Sequence, residues 1–349
     1  FGWQLVSCPA EGNWLGDGPD SAGKHSEEDQ LGWHPMLRVT AAFYTVAILI
    51  WAPSVFGAEA VSTGRRFDSL APLDEMMKSF LRDNHLPGAA LAVARNGRLL
   101  YSRGFGYADV ENEGPVQPGS LFRIASISKS ITAVTVMRLV DADQLSLDDR
   151  AFAALPHDRQ LGRRAWADPR LGEVTIEHLL QHRGGWDHER SKDPMFQSLA
   201  IAFWMGKRPP AEPGDVVRFM LNRPLDFDPG QRVAYSNFGY CVLGRVIEEV
   251  SGQDYEHFVH QSLLKPLGID SMRLGKTRIE DRAAKEVKYY TTDDQTGEGV
   301  VGNTLNRKVS APYGTWYLEA MDAHGGWLAS AQDLVRFGSA LGSSDAAVL

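Results

Sequence analysis

Ser126-Ile127-Ser128-Lys129 is the most informative stretch of this 349-residue chain. It opens residues 124–140, where apolar side chains recur at a spacing near 3.6 residues, which predicts a helix. Residues three apart lie on one face of a helix, so Ser126 and Lys129 are expected to meet. A serine hydroxyl becomes a nucleophile when a nearby base removes its proton, and a lysine with a lowered pKa can be that base.

A second motif, Tyr235-Ser236-Asn237, follows 106 residues after Lys129. Side chains two residues apart in an extended or turning segment point the same way, so Tyr235 and Asn237 are expected to face one cleft. There the tyrosine can relay a proton to a leaving group, and the amide can hold Lys129 or a substrate carbonyl. Two other Ser-x-x-Lys tetrads, at Ser21 and Ser262, do not open an apolar helix.

At these residues the sequence resembles the serine β-lactamase and penicillin-binding-protein superfamily, in particular class C β-lactamases, family VIII carboxylesterases and D-aminoacyl peptidases. The resemblance runs from about Leu73 to the end of the chain and includes a hairpin at residues 88–109 with an Asn-Gly turn. It implies an α/β (α+β) fold of the β-lactamase/transpeptidase type, with an antiparallel sheet flanked by helices and a mainly helical region. It also implies that Ser126, Lys129 and Tyr235 are the catalytic residues.

The resemblance further implies a third element, Lys-Thr-Gly or His-x-Gly, on a sheet strand. His324-Gly325-Gly326 formally fits His-x-Gly, although the amphipathic pattern of residues 330–337 predicts a helix where a strand would be needed. Asn237 and His324 are the candidate substrate-binding residues. Because no convincing third element is found, the domain is expected to be C-terminally incomplete. In the family the strand of the third element supplies a backbone N–H that stabilises the oxyanion, and loss of one such donor would cost on the order of 3 kcal/mol in the transition state.

The first sixty residues are predicted to lie outside the domain. Met36-Leu37-Arg38 precedes an apolar run that ends in Ala58-Glu59-Ala60, the pattern of a secretory signal peptide over residues 36–60. Residues 1–35 are then an extension of doubtful status, and residues 61–349 form the β-lactamase-related domain. The expected location is secreted or periplasmic. The alternative for the apolar run is an uncleaved N-terminal anchor.

Composition and charge limit the partners. The chain is 43% hydrophobic and 23% charged, as in globular proteins. Most of its net charge of −8 comes from the first 35 residues, which hold six acidic side chains and one lysine. Nothing in this distribution indicates a nucleic-acid partner. We expect a small-molecule ester or amide substrate and no stable membrane partner, and the oligomeric state is not predicted.

No cofactor or metal is predicted. His178 and His182 are four residues apart, and His257 and His260 are three apart, on two predicted helices. These spacings can bind zinc, but no Cys or Asp cluster and no His-Glu-x-x-His motif accompanies them. Surface or capping roles are the preferred interpretation for all four.

Three functions remain open at this point. The first is a serine hydrolase, most simply a carboxylesterase, because a divergent third element suits small esters and no lysine for a β-lactam carboxylate is found. The alternative is a β-lactamase or a D,D- or D-aminoacyl peptidase. The second alternative is a catalytically weak scaffold or an oligomerising lactamase-like protein. The sequence has no Gly-x-Ser-x-Gly motif, so a nucleophile elbow is not supported.

Overall fold

A computed structural model describes residues 61–155 and 168–342. The predicted extension (1–35) and signal peptide (36–60) lie outside these residues, so both stay predictions. The strands are β1 Ser62–Thr63, β2 Gly88–Arg95, β3 Arg98–Asp109, β4 Gly114–Pro115, β5 Phe122–Arg123, β6 Arg273–Leu274, β7 Thr296–Glu298, β8 Lys308–Ser310 and β9 Trp327–Ala329. The α-helices are α1 Ala71–Asp83, α2 Ser128–Asp141, α3 Ile176–Leu180, α4 His188–Ser191, α5 Ser198–Trp204, α6 Pro213–Met220, α7 Asn237–Ser251, α8 Tyr255–Val259 and α9 Ala331–Leu341. None of these described helices combines the length and the apolar character that crossing a bilayer requires.

The larger sheet is built on the predicted hairpin. β2 pairs with β3 in antiparallel register, and β1 and β4 also pair with β3. Asn96 and Gly97 in the connecting turn both have positive φ angles, 52° and 70°. A type I′ turn requires this combination, because its twist matches that of the flanking strands. The antiparallel sheet and the α+β class predicted from the sequence are therefore confirmed.

A smaller sheet fixes the point from which the chain enters the Ser126 turn. β5 and β6 both pair antiparallel with β9, and β5 ends at Arg123. The Arg123 guanidinium donates to the carbonyl oxygens of Pro312 at 2.6 Å and Lys276 at 2.9 Å. It also lies 4.5 Å from the centre of the Tyr289 ring. These contacts tie the start of the Ser126 turn to residues 276–313.

Helices α2 and α7 lie at the centre of the main hydrophobic core. Ile131 and Val136 of α2 and Val242 of α7 are fully buried in it. The sequence predicts one helix from residue 124, whereas the structure has a 3-10 turn, Ala125–Ile127, before α2. The difference arises because Ala125 has a φ of 45°, which a right-handed α-helix does not allow.

Two further segments complete the description. Helix α7 is followed by α8, which continues into a π-helical turn, His260–Leu264. Residues 282–317 hold 3-10 turns and the β7–β8 hairpin. The sequence predicts a helix after His324-Gly325-Gly326, where the family pattern needs a strand. The structure has both, first strand β9 and then helix α9.

Candidate active site

Ser126 is exposed in the 3-10 turn that precedes α2. Ala125, directly before it, is held in the left-handed region, which costs a residue other than glycine about 1–3 kcal/mol and is frequent at functional sites. The Ser128 N–H donates back to the carbonyl oxygens of Ala125 and Ser126, which closes the turn. Ser126 is thus exposed to solvent, and the closed turn restricts the conformations that its backbone can adopt.

Lys129 is one turn further along the same face and is 6% exposed. Its Nζ atom lies 3.2 Å from Ser126 Oγ, 2.6 Å from Asn237 Oδ1 and 2.8 Å from the carbonyl oxygen of His324. Burial lowers the pKa of Lys129 to about 7, and the charge of Asp193 opposes that shift. A neutral amine has two N–H groups and one lone pair, so two acceptors can hold its hydrogens while the lone pair faces the serine.

Tyr235 completes the contact around the nucleophile. Its Oη atom lies 2.6 Å from Ser126 Oγ, and Lys129 Nζ lies 4.7 Å from the centre of its ring. The residue is 41% exposed, so it is open to solvent beside Ser126. The structure therefore brings the three predicted catalytic side chains together.

Asn237 is the first residue of α7, and its amide is oriented by a residue that the sequence analysis missed. Asn237 Nδ2 donates to Asp193 Oδ2 at 2.6 Å, so its oxygen is turned towards Lys129. The sequence around Asp193 shows only an ordinary helix-start signal, an Asp followed by Pro194. A local signal of that kind gives no indication of a partner 44 residues away.

The side chain of His324 is buried. The residue is 2% exposed, and burial together with the charges of Lys129 and Arg245 holds the pKa of its imidazole well below the usual range. Within residues 61–155 and 168–342, its Nε2 atom has no hydrogen-bond partner. The predicted substrate-binding role of the imidazole stays a prediction, and the contact that His324 makes with the site is through its backbone carbonyl, which accepts from Lys129.

His178 and His182, one of the two histidine pairs considered as zinc ligands, make other contacts. His178 caps α3 through Thr175, and His182 Nδ1 accepts from the Ser236 N–H at 3.1 Å. In the described part of the chain, no group of three or more His, Cys, Asp or Glu side chains is arranged to hold a metal ion. His182 also packs on Tyr235 and was missed as a residue of this site.

An exposed serine, a lysine with a lowered pKa and a tyrosine within hydrogen-bond distance define the class of active-site-serine proteins that use a Ser–Lys–Tyr cluster. The family model described as Beta-lactamase matches residues 73–348, and the chain belongs to this family.

Several relatives are similar to this chain. Esterase EstB of Burkholderia gladioli is 34% identical over 62% of this chain and 53% of its own length. Penicillin-binding protein 4* of Bacillus subtilis (strain 168) is 28% identical over 76% and 54%. Among solved structures, the octameric penicillin-binding protein homologue from Pyrococcus abyssi has a TM-score of 0.58 and 27% identity, covering 81% of this chain and 58% of that one. The chain spans about half the length of the curated relatives it matches.

Proposed function

We propose that this protein is a serine hydrolase that cleaves esters or amides through an acyl-enzyme, and that carboxylic esters are its substrates. One observation carries the proposal: Ser126 Oγ lies 2.6 Å from Tyr235 Oη and 3.2 Å from the Nζ atom of Lys129, whose pKa is lowered to about 7. At neutral pH a substantial fraction of this lysine is uncharged and able to accept a proton.

In the first half-reaction, Lys129 removes the proton from Ser126 Oγ, with Tyr235 stabilising the hydroxyl oxygen. The oxygen attacks the substrate carbonyl, and negative charge develops beside the N-terminal turn of α2, where the positive end of the helix dipole favours it. Tyr235 then donates its proton to the leaving group and recovers one from Lys129. The bond to the leaving group breaks, and an acyl ester of Ser126 remains.

In the second half-reaction, water attacks the acyl ester. The same groups act in reverse, because the proton of the attacking water passes to Lys129 and Ser126 leaves as the alcohol. The proton that departed with the leaving group is replaced by one from this water. Ser126, Lys129 and Tyr235 therefore return to their starting protonation states, with water as the second reactant.

Esters are favoured over β-lactams by the charges near the serine. Within the described residues, Lys129 is the one lysine hydrogen-bonded to Ser126 or Asn237, so no second ammonium group is bound into the cluster for a substrate carboxylate. The 34% identity to Esterase EstB supports the same choice.

The alternatives remain a β-lactamase or D,D- or D-aminoacyl peptidase, and a catalytically weak or oligomerising protein. Penicillin-binding protein 4* among the relatives supports the first of these. The octameric state named for the Pyrococcus abyssi homologue supports the second. The predicted secreted or periplasmic location is compatible with each of the three.

The test is the intact mass of the full chain after treatment with a fluorophosphonate or a penicillin, together with hydrolysis of p-nitrophenyl butyrate and a chromogenic cephalosporin. We expect a fluorophosphonate adduct and ester hydrolysis that Ser126→Ala abolishes. Ser130→Ala is the matched control, because Ser130 is an exposed serine in the first turn of α2, four residues after Ser126. A stable penicillin adduct would favour the peptidase alternative, and no adduct in folded protein would favour the scaffold.

A further inference from the structure

His182 holds the backbone on both sides of Tyr235. The Ala234 N–H donates to the His182 carbonyl oxygen at 2.9 Å, and the Ser236 N–H donates to His182 Nδ1 at 3.1 Å. The imidazole also packs on the phenol between these two bonds, with ring centres 4.6 Å apart and planes tilted by 33°. One residue thus contacts Ala234, Tyr235 and Ser236, which are consecutive in the chain.

His182 is itself rigidly placed. It follows α3, where its N–H donates to the Leu179 carbonyl oxygen at 3.2 Å, and its φ angle is 57°. This left-handed conformation is uncommon outside glycine, although Asn, Asp and His adopt it more often than other residues. On the other side of the imidazole, the Tyr240 ring of α7 lies 5.1 Å away. The imidazole is held between two tyrosines.

The hydrogen bond from the Ser236 N–H requires one particular protonation state of the His182 imidazole. Nδ1 accepts a hydrogen bond, so it carries no proton, and the neutral ring has its proton on Nε2. Lys129 on α2 is the charged group that acts on the ring, with Tyr235 and Tyr240 packed on either side. Burial and the charge of Lys129 lower the pKa of His182, which favours this neutral form.

We propose that His182 is a positioning residue that holds the phenol of Tyr235 in hydrogen-bond contact with Ser126, and this inference rests on the proposed hydrolase function. Without the acceptor at Nδ1, the Tyr235 segment is anchored by fewer bonds and the phenol loses its fixed distance to the nucleophile. Proton donation to the leaving group is the step that suffers, because it depends on where the phenolic oxygen is held.

The test compares two esters with the same acyl group, methyl butyrate and p-nitrophenyl butyrate. Both form the same butyryl-enzyme, so the difference in kcat/KM reports acylation alone. Methoxide needs a proton as it leaves, whereas p-nitrophenoxide leaves readily without one. A residue that acts through Tyr235 must therefore affect the methyl ester more, and a general loss of folding affects both esters equally.

His182→Gly and His182→Asn form a matched pair. Both residues tolerate the left-handed backbone, but only asparagine offers an oxygen near the position of Nδ1. We expect His182→Gly to lower kcat/KM about tenfold more for the methyl ester than for the p-nitrophenyl ester, since general acid catalysis contributes about 10²–10⁴-fold. His182→Asn should recover part of that difference. Thermal unfolding of both variants checks that they fold.

A double-mutant cycle with Tyr235→Phe completes the experiment. If His182 acts through the phenol, His182→Gly adds little further loss once the phenolic oxygen is gone. Equal losses on both esters, or full additivity with Tyr235→Phe, would overturn the positioning role while leaving the hydrolase intact. A wild-type chain that hydrolyses neither ester and takes up no fluorophosphonate would instead overturn the proposed function, and this inference with it.

Discussion

The pKa of Lys129 results from two opposing effects at single residues. Burial disfavours the ammonium form and lowers the pKa to about 7, whereas the negative charge of Asp193 favours that form and limits the shift. Asp193 also orients Asn237, whose amide oxygen accepts from the lysine. One carboxylate therefore affects both the geometry and the proton affinity of the base.

We predict that kcat/KM rises with pH through about 7, because Lys129 must lose its proton before it can act as the base. Asp193→Asn removes the charge that raises the pKa of this lysine, so the midpoint of the rise should move to lower pH. The measurement is the pH profile of kcat/KM for p-nitrophenyl butyrate. The variant should keep more of its maximal rate at pH 6 than the wild type does.

The control for this profile is Asp254→Asn. Asp254 also caps a helix through its side chain, but Asp193 is the carboxylate whose charge acts on Lys129. The control should leave the midpoint in place. A midpoint that moves to higher pH in Asp193→Asn would contradict the assignment of Lys129 as the base.

At the scale of elements, the start of α7 connects stability to the site. Ser236 is the N-cap, and its Oγ atom accepts from the Gly239 N–H at 3.1 Å. The residues on either side of this cap, Tyr235 and Asn237, both contact the nucleophile or its base. Anything that loosens the first turn of α7 therefore disturbs the cluster.

Ser236→Ala should reduce the free energy of unfolding by about 1 kcal/mol, the usual contribution of an N-cap side chain. Urea unfolding followed by circular dichroism measures the change. Ser236→Asp should lose less, because aspartate caps as well as serine does. If alanine and aspartate at this position destabilised the protein equally, loss of the N-cap hydrogen bond would not explain the destabilisation.

The hairpin turn gives a second prediction at this scale. Gly97 has a φ of 70°, and a Cβ added there would meet no atom within 4 Å, so the cost of Gly97→Ala lies in the backbone alone. We expect a loss of about 1 kcal/mol. At Gly119 the space is equally open and φ is not in the left-handed region, so Gly119→Ala should be neutral or slightly stabilising. Urea midpoints of the two variants give the comparison.

At the scale of the described molecule, two distant segments, the start of α7 and the turn before β9, contact Lys129. Residues 323 and 324 supply carbonyl oxygens to α2, where Thr132 Oγ1 donates to Ala323 at 2.6 Å and Lys129 donates to His324. The same turn is tied to α7 by a buried ion pair between Arg245 and Asp322. The turn before β9 thus links the two central helices.

Asp322→Asn should destabilise the protein by about 3 kcal/mol, because breaking a buried pair leaves an uncompensated charge. Glu248, 2.9 Å from Arg245, remains as a partner and keeps the loss at the lower end of the usual range. Loss of the pair should also reduce ester hydrolysis, because the His324 carbonyl is displaced from Lys129. Thermal unfolding and p-nitrophenyl butyrate hydrolysis measure the two effects.

A matched control uses an exposed pair. Arg278 and Asp281 lie 2.8 Å apart and both are partly open to solvent. Asp281→Asn should leave the unfolding temperature nearly unchanged, since water screens such pairs. Similar losses for the buried and the exposed pair would contradict the proposed link.

Several features of the site could be read from the sequence because they are local. The i, i+3 spacing brings Ser126 to Lys129, the Asn-Gly turn gives the hairpin, and Tyr235 and Asn237 meet at the start of a helix. The resemblance to a known family gave the order of these elements and their chemistry. The third element could not be read in the same way, because a three-residue pattern at His324 does not reveal that the side chain is buried.

The amino-acid sequence by itself determined the α+β architecture, and it predicted Ser126 as the nucleophile, Lys129 as its base and Tyr235 as their partner. Backbone periodicity and turn preferences act between neighbouring residues, so a linear pattern is enough to reveal them. Only the tertiary structure decided that the pKa of Lys129 is near 7, that Asp193 orients Asn237 and that His182 accepts a hydrogen bond from the backbone next to Tyr235. These properties depend on burial and on contacts between residues far apart in the chain, which exist only once the helices and sheets have packed.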